Sequence, residues 1–214
     1  MEGNQGLNTQ SEAQARTILV TGAASGIGAA LCRRLAAPGT VLFIHTRANR
    51  EGLEEVARAV EAKGGQSHIL LGDLAEAPVA GELIAAVTEA VGDGGRLDGL
   101  VANAGFADKT PLAALEDDAL AHSLAAITGG FHRLAKAAMP LLRAAPAGRV
   151  VAVSSFVAHR FQLDGVSMPA SAAAKAGLEA LARALAMDLA PHNVTVNCVA
   201  PGYVQKQAGA TQFT

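Results

Sequence analysis

Thr21-Gly22-Ala23-Ala24-Ser25-Gly26-Ile27-Gly28 is the stretch that decides the fold. It follows the apolar run Arg16–Thr21 and opens Ile27–Ala37, where Ile27, Leu31 and Leu35 share one helical face. A glycine-rich turn between a strand and a helix is the setting that holds a phosphate. Gly22 permits the tight turn. Gly26 lets the backbone approach a pyrophosphate with no Cβ in the way, and Gly28 lets the helix lie close to the sheet. The free N–H groups at the helix start, with its dipole, attract the anion. Gly22, Ser25, Gly26, Ile27 and Gly28 are therefore candidate ligand contacts.

Outward from that turn, strand and helix alternate. Pro38-Gly39 stops the first helix. Val41–Thr46 reads as a second strand, and Arg50–Lys63 as a helix striped by Leu53, Val56, Ala57 and Val60 and closed by Gly64-Gly65. Ser67–Gly72 is a third strand, Glu76–Val91 a third helix and Leu97–Ala102 a fourth strand. A long helical region runs from Asp117 to Ala144. Arg149–Ser154 is a fifth strand, Ala170–Leu189 an Ala-rich helix, and Val194–Val199 a sixth strand before Pro201-Gly202. The strands are continuous apolar runs, the pattern of strands covered on both faces. Repeated strand–helix–strand units of this kind predict an α/β fold: a Rossmann-like, doubly wound parallel sheet flanked by helices.

The 214 residues suffice for one domain. Residues 1–15 are polar and read as a flexible leader, with the domain over 16–214. Half the residues are apolar, aromatics are only 3%, and Tyr203 is the single tyrosine. Small apolar residues suit close helix-on-sheet packing. The net charge of -2 argues against a nucleic-acid partner. Cys32 and Cys198 read as small buried hydrophobes, and the scattered histidines give no metal-ligand spacing. There is neither a secretory signal nor a membrane-length apolar run, so a cytoplasmic location is expected.

The spacing Thr-Gly-x-x-x-Gly-x-Gly resembles the short-chain dehydrogenase/reductase family, and the likeness continues in order from Arg16 to Tyr203. Asp73-Leu74 resembles the family's adenine-contacting position. Asn103-Ala104-Gly105 matches its element beneath the adenosine ribose. Ser155 falls in the catalytic serine slot, Lys175 in that of the active-site lysine, and Asn197 with Pro201-Gly202 along the nicotinamide. The resemblance implies a nicotinamide cofactor and hydride transfer between it and a carbonyl or alcohol substrate. It also implies a homodimer or homotetramer, built through Asp117–Ala144 and the helix bearing Ala172, Ala173, Ala176 and Ala180. At the end of the second strand, Thr46-Arg47 lacks the acid that would repel a 2′-phosphate, and Arg47 can pair with one. NADP is therefore expected, with NAD as the alternative.

Two catalytic positions depart from the family. Ser171 stands where the proton-donating tyrosine belongs, four residues before Lys175, and Ala126 where an asparagine would anchor a water. Serine is a far weaker acid than a phenol and shorter by a ring, so a water between Ser155, Ser171 and Lys175 would have to relay the proton. Phe156–Ala170 is about three residues longer than is common in the family. Relatives continue past Pro201-Gly202 with a lid, a helix and a seventh strand. Here only the polar Tyr203–Thr214 follows, so a missing seventh strand and an incomplete C-terminal part are expected. Three readings stay open: an active oxidoreductase, a catalytically impaired member that binds cofactor as a sensor or structural partner, and a repurposed site doing proton or water chemistry without net redox.

Overall fold

Why six apolar runs make one sheet is visible in a computed structural model that describes residues 15–161 and 167–204. The strands are β1 (Arg16–Thr21), β2 (Thr40–Thr46), β3 (Gln66–Leu71), β4 (Gly99–Ala102), β5 (Arg149–Val153) and β6 (Thr195–Val199). They pair in parallel in the order β3-β2-β1-β4-β5-β6. The order reverses between β1 and β4, which opens a crevice at their C-terminal ends.

Side chains of one strand alternate between faces even where every residue is apolar. In β1, Ile18 and Val20 pack with α1 (Gly26–Leu35) and α2 (Arg50–Glu61), among Cys32, Leu53 and Val56. Leu19 faces the other way, into a core shared with α3 (Val79–Val91), α5 (Gly130–Ala144) and α6 (Pro169–Leu189). That core includes Phe43, Leu100, Phe131, Leu134 and Leu178. The expected two-sided sheet is therefore present in its centre.

The edges differ. In β6, Cys198 is exposed and Val199 is 51% exposed, because the strand pairs only with β5 among the described residues. Cys198 is thus not the buried hydrophobe expected, whereas Cys32 is fully buried and its thiol is pushed up to about 12 by burial. β3 likewise alternates in exposure. α3 starts at Val79, after Pro78, three residues later than expected. Asp73 forms a turn of its own, its Oδ1 accepting from Ala75 N at 2.9 Å, and the residue before a proline avoids helical geometry. The long helical region is continuous over Asp117–Ala144, as expected, but changes helix type in its middle. α4 (Asp117–Ser123) passes through a π-helical stretch, Leu124–Gly129, into α5.

Residues 1–14 of the expected leader, 162–166 of the long connection and 205–214 of the polar tail lie outside the described residues. No helix of the described residues is long and apolar enough to cross a membrane.

Two glycines test the packing of the turn. A Cβ on Gly28 would lie 2.2 Å from the Gly22 carbonyl oxygen, whereas one on Gly26, at φ +53°, meets nothing within 4 Å. Gly28→Ala is expected to cost more than about 3 kcal/mol and Gly26→Ala about 1–2 kcal/mol, read from urea midpoints.

Candidate active site

The glycine turn is locked to the end of the fourth strand by buried and part-buried hydrogen bonds. Thr21 Oγ1 accepts from the backbone N–H of Asn103 and of Ala104, each at 3.0 Å, and donates to Val101 O at 3.3 Å. The Asn103 amide donates to the carbonyls of Thr21 and Gly22, both at 3.0 Å. Gly22, at φ +66°, leaves no room for a side chain, since a Cβ would sit 2.9 Å from Ala104 Cα. The turn is thus held from behind and open in front. Ser25, Gly26 and Ile27 are exposed, the Ser25 side chain does not cap the helix, and its first turn has no acid. Free N–H groups with the positive end of a dipole fit a pyrophosphate.

At the ends of β2 and β3, Thr46 is half-buried and Arg47 is exposed. Arg47 Nη1 lies 3.8 Å from Asp73 Oδ2. The buried Leu74 follows, and its carbonyl accepts from Arg133 Nη2 at 2.6 Å. The same nitrogen reaches Ala75 O at 3.3 Å and Ala125 O at 2.9 Å. Arg133 therefore ties the Asp73-Leu74 turn to the π-helical stretch. Behind this turn, His45 is buried beside Gly72 O at 3.0 Å, and burial lowers its pKa, which favours the neutral ring.

α6 lays three polar side chains along its buried face at four-residue spacing: Ser171, Lys175 and Glu179. Lys175 is 7% exposed, and its Nζ donates to Val153 O at 2.6 Å. A Cβ on Gly105 would stand 3.1 Å from that nitrogen, so the glycine makes room for it. Burial draws the ammonium down to about 8. Glu179 Oε1 accepts from Ser154 Oγ at 2.5 Å and from His159 Nε2 at 2.8 Å. It thereby clips the chain on both sides of Ser155. Ser155 is half-buried and opens a short 3-10 turn, Phe156–Ala158, by accepting from Val157 N at 3.4 Å.

Ser171 is not joined to Ser155. It is 3% exposed, accepts from Asp108 N at 2.9 Å and donates to Phe106 O at 3.5 Å. Its hydroxyl holds the loop after β4. Ala126 lines a void of about 10 Å³ with Thr21, Leu74 and Ala104. Pro201 O accepts from Phe156 N at 3.0 Å, placing Pro201-Gly202 beside Ser155. Asn197 stays apart, exposed on β6 and bonded to Thr195. No group of His, Cys, Asp and Glu among the described residues forms a metal site.

Residues 16–213 match the family model described as short chain dehydrogenase. The chain belongs to the short-chain dehydrogenase family. A 3-oxoacyl-(acyl-carrier-protein) reductase of Aggregatibacter actinomycetemcomitans is 36% identical over 192 residues, covering 88% of this chain and 76% of the relative. A cis-4-hydroxycyclohexanecarboxylate dehydrogenase of Sinomonas cyclohexanicum is 38% identical over 88% of this chain and 73% of its own. Among solved structures, a 3-oxoacyl (acyl-carrier-protein) reductase of Agrobacterium tumefaciens C58 with NADP bound superposes with a TM-score of 0.81. It is 34% identical, over 92% of this chain and 73% of that one.

Arg133, Glu179, His159 and Asp108 were not singled out by the sequence reading. Glu179 carried one signal, an acid one turn beyond Lys175 on an Ala-rich helix. The others depend on partners distant in the chain: Leu74 for Arg133, Glu179 for His159 and Ser171 for Asp108.

Lys175 fixes a pH dependence. Its folded pKa lies below the ordinary value of 10.5, so between about pH 8 and 10.5 the unfolded chain binds the extra proton. Stability contributed by this group rises through that window, by at most about 3 kcal/mol. Lys175→Met is expected to abolish the rise in denaturation series from pH 7 to 10.5. Glu179→Ala, which strands Ser154, is expected to cost about 1–3 kcal/mol. Arg183→Ala, removing a 73% exposed group 4.0 Å from Glu179, should change urea stability by under about 0.5 kcal/mol.

Proposed function

We propose that this chain is an oxidoreductase transferring hydride between NADP(H) and a carbonyl or alcohol substrate. The observation that carries the reading is convergence at one sheet edge. The open α1 N-terminus, the Asn103 clamp, the buried Lys175 and Ser155 all lie at the C-terminal ends of β1, β4 and β5. The NADP-bound relative supports the choice of cofactor.

In this reading Gly22, Ser25, Gly26, Ile27 and Gly28 receive the pyrophosphate. Asp73 and Leu74 border the adenine, and Asn103, Ala104 and Gly105 lie beneath the adenosine ribose. Thr46 and Arg47 face the 2′-phosphate. Lys175 holds the nicotinamide ribose, with Pro201 and Gly202 alongside. The bound cofactor supplies or accepts the hydride. Ser155 Oγ orients the substrate oxygen. Lys175 Nζ carries a proton below about pH 8, and a water beside it and Ser155 passes that proton on. Ser171 does not reach this point, because its hydroxyl is engaged with Phe106 and Asp108.

That engagement favours a second reading, a member that binds cofactor and turns over slowly. Losing a positioned general acid costs a factor of about 10² to 10⁴. The same family reading includes a homodimer or homotetramer. Ala173, Ala176 and Ala180 are exposed along α6, while Ala172 is buried and takes no part in such a face.

Cofactor fluorescence titration followed by turnover on a carbonyl panel tests these readings. Tighter binding of NADPH than NADH, loosened by about tenfold or more in Arg47→Ala with NADH unaffected, is the expected result. Equal or tighter NADH binding overturns the NADP assignment. Measurable carbonyl turnover, raised by Ser171→Tyr, supports the oxidoreductase; binding without turnover supports the second reading. No change in Ser171→Tyr argues against Ser171 as the proton-donor position.

A further inference from the structure

We infer that Arg133 is a positioning residue for the adenine end of the cofactor site: its guanidinium holds the Asp73-Leu74 turn in the one shape that receives the base. This rests on the cofactor reading above.

The turn lies between the end of β3 and the start of α3, outside any helix or strand, so its shape depends on what its backbone bonds to. Each carbonyl from Gly72 to Ala75 is engaged within the protein. Gly72 O accepts from His45 Nε2 at 3.0 Å, and Asp73 O from Glu76 N at 2.9 Å. Leu74 O accepts from Arg133 Nη2 at 2.6 Å, and Ala75 O from the same nitrogen at 3.3 Å. One side chain thus draws two consecutive carbonyls inward. The Asp73 side chain stays at the surface, 25% exposed and 3.8 Å from Arg47. A base is received by the groups a turn presents, and Arg133 decides which way this turn faces.

Arg133 is itself held in place. It stands in the first turn of α5, and Nη2 also donates to Ala125 O at 2.9 Å. That carbonyl accepts from Gly130 N across the π-helical stretch, so the guanidinium is anchored to the helical segment that carries it. Two glycines make the room. A Cβ on Gly129 would stand 3.0 Å from Arg133 Nη1, and one on Gly130 would stand 3.0 Å from Leu74 Cβ and 3.2 Å from Leu74 O. Among the described residues no carboxylate pairs with Arg133, and its Nε is buried without a partner. A part-buried cation whose charge is met only by carbonyl oxygens is costly for stability, which points to a task in holding the turn. A planar fork bonds two chain segments at once in a fixed geometry, which the point charge of a lysine does less well.

The probes are 2′,5′-ADP, which carries the adenine end of the cofactor, and reduced nicotinamide mononucleotide, which lacks it. Both are titrated by calorimetry into the full chain, Arg133→Met and Arg133→Lys, with urea midpoints measured alongside. Arg133→Met keeps an apolar stem and removes the donors. It is expected to raise the Kd for 2′,5′-ADP about tenfold while the Kd for the mononucleotide stays within about twofold. Arg133→Lys should recover part of the loss, leaving about a threefold rise. Should Arg133→Met not fold, the same split between probes in Arg133→Lys carries the test. An unchanged 2′,5′-ADP affinity in the folded variants, or a parallel loosening of both probes, overturns the inference and leaves the cofactor reading standing. Failure of 2′,5′-ADP to bind the unaltered chain overturns both. Arg133-dependent binding of 2′,5′-ADP without turnover of any carbonyl supports the inference while defeating the oxidoreductase reading.

Discussion

The Asn103 side chain sits where the two halves of the sheet part. Its amide donates to the Thr21 and Gly22 carbonyls, while its own backbone N–H is taken by Thr21 Oγ1. A buried carbonyl without a donor costs about 1–3 kcal/mol, so this reciprocal set fixes the turn in one shape. Everything in front of it follows from that shape. The α1 N-terminus points its free N–H groups outward, and Gly28 can pass within van der Waals reach of the Gly22 carbonyl only because it lacks a Cβ. The turn is rigid where it meets the protein and bare where a phosphate would meet it.

The second constraint is the polar row on α6. Burying Ser171, Lys175 and Glu179 on a helix otherwise lined by Ala and Leu is costly unless each finds a partner. Each does, and the partners lie at or just beyond the C-terminal ends of β4 and β5. Ser171 holds the loop after β4, Lys175 binds the last carbonyl of β5, and Glu179 grips Ser154 and His159. The helix thus positions Ser155 from both flanks without touching it. Glu179 leaves no carboxylate on Lys175, so burial alone governs that ammonium and lowers its pKa to about 8.

Much of this was legible in the chain. Period-3.6 stripes at Leu53, Val56 and Val60 and the apolar runs around Leu19 and Leu100 announce helices and parallel strands, because burial on both faces leaves no alternative pattern. The glycine spacing and the order of Asn103, Ser155 and Lys175 pointed to residues that the fold gathers at the C-terminal ends of β1, β4 and β5. The misses have local causes. Pro78 and the Asp73 turn delay α3, and the switch to π-helical turns at Leu124–Gly129, inside an unbroken helix, leaves no mark in the hydrophobic period. Cys198 reads as core in an apolar run, but among the described residues its strand is an edge.

What the sequence determined by itself was the set of elements, their gathering into a parallel, doubly wound sheet and the glycine turn between β1 and α1, since these rest on residue type and spacing alone. Only the tertiary structure decided how the polar groups are spent. Ser171 is bound to Phe106 and Asp108 rather than to Ser155, Arg133 links the Asp73-Leu74 turn to Ala125, and Glu179 straddles Ser155. Those partners lie far apart in the chain, and a hydrogen bond requires a distance near 3 Å that no local pattern encodes.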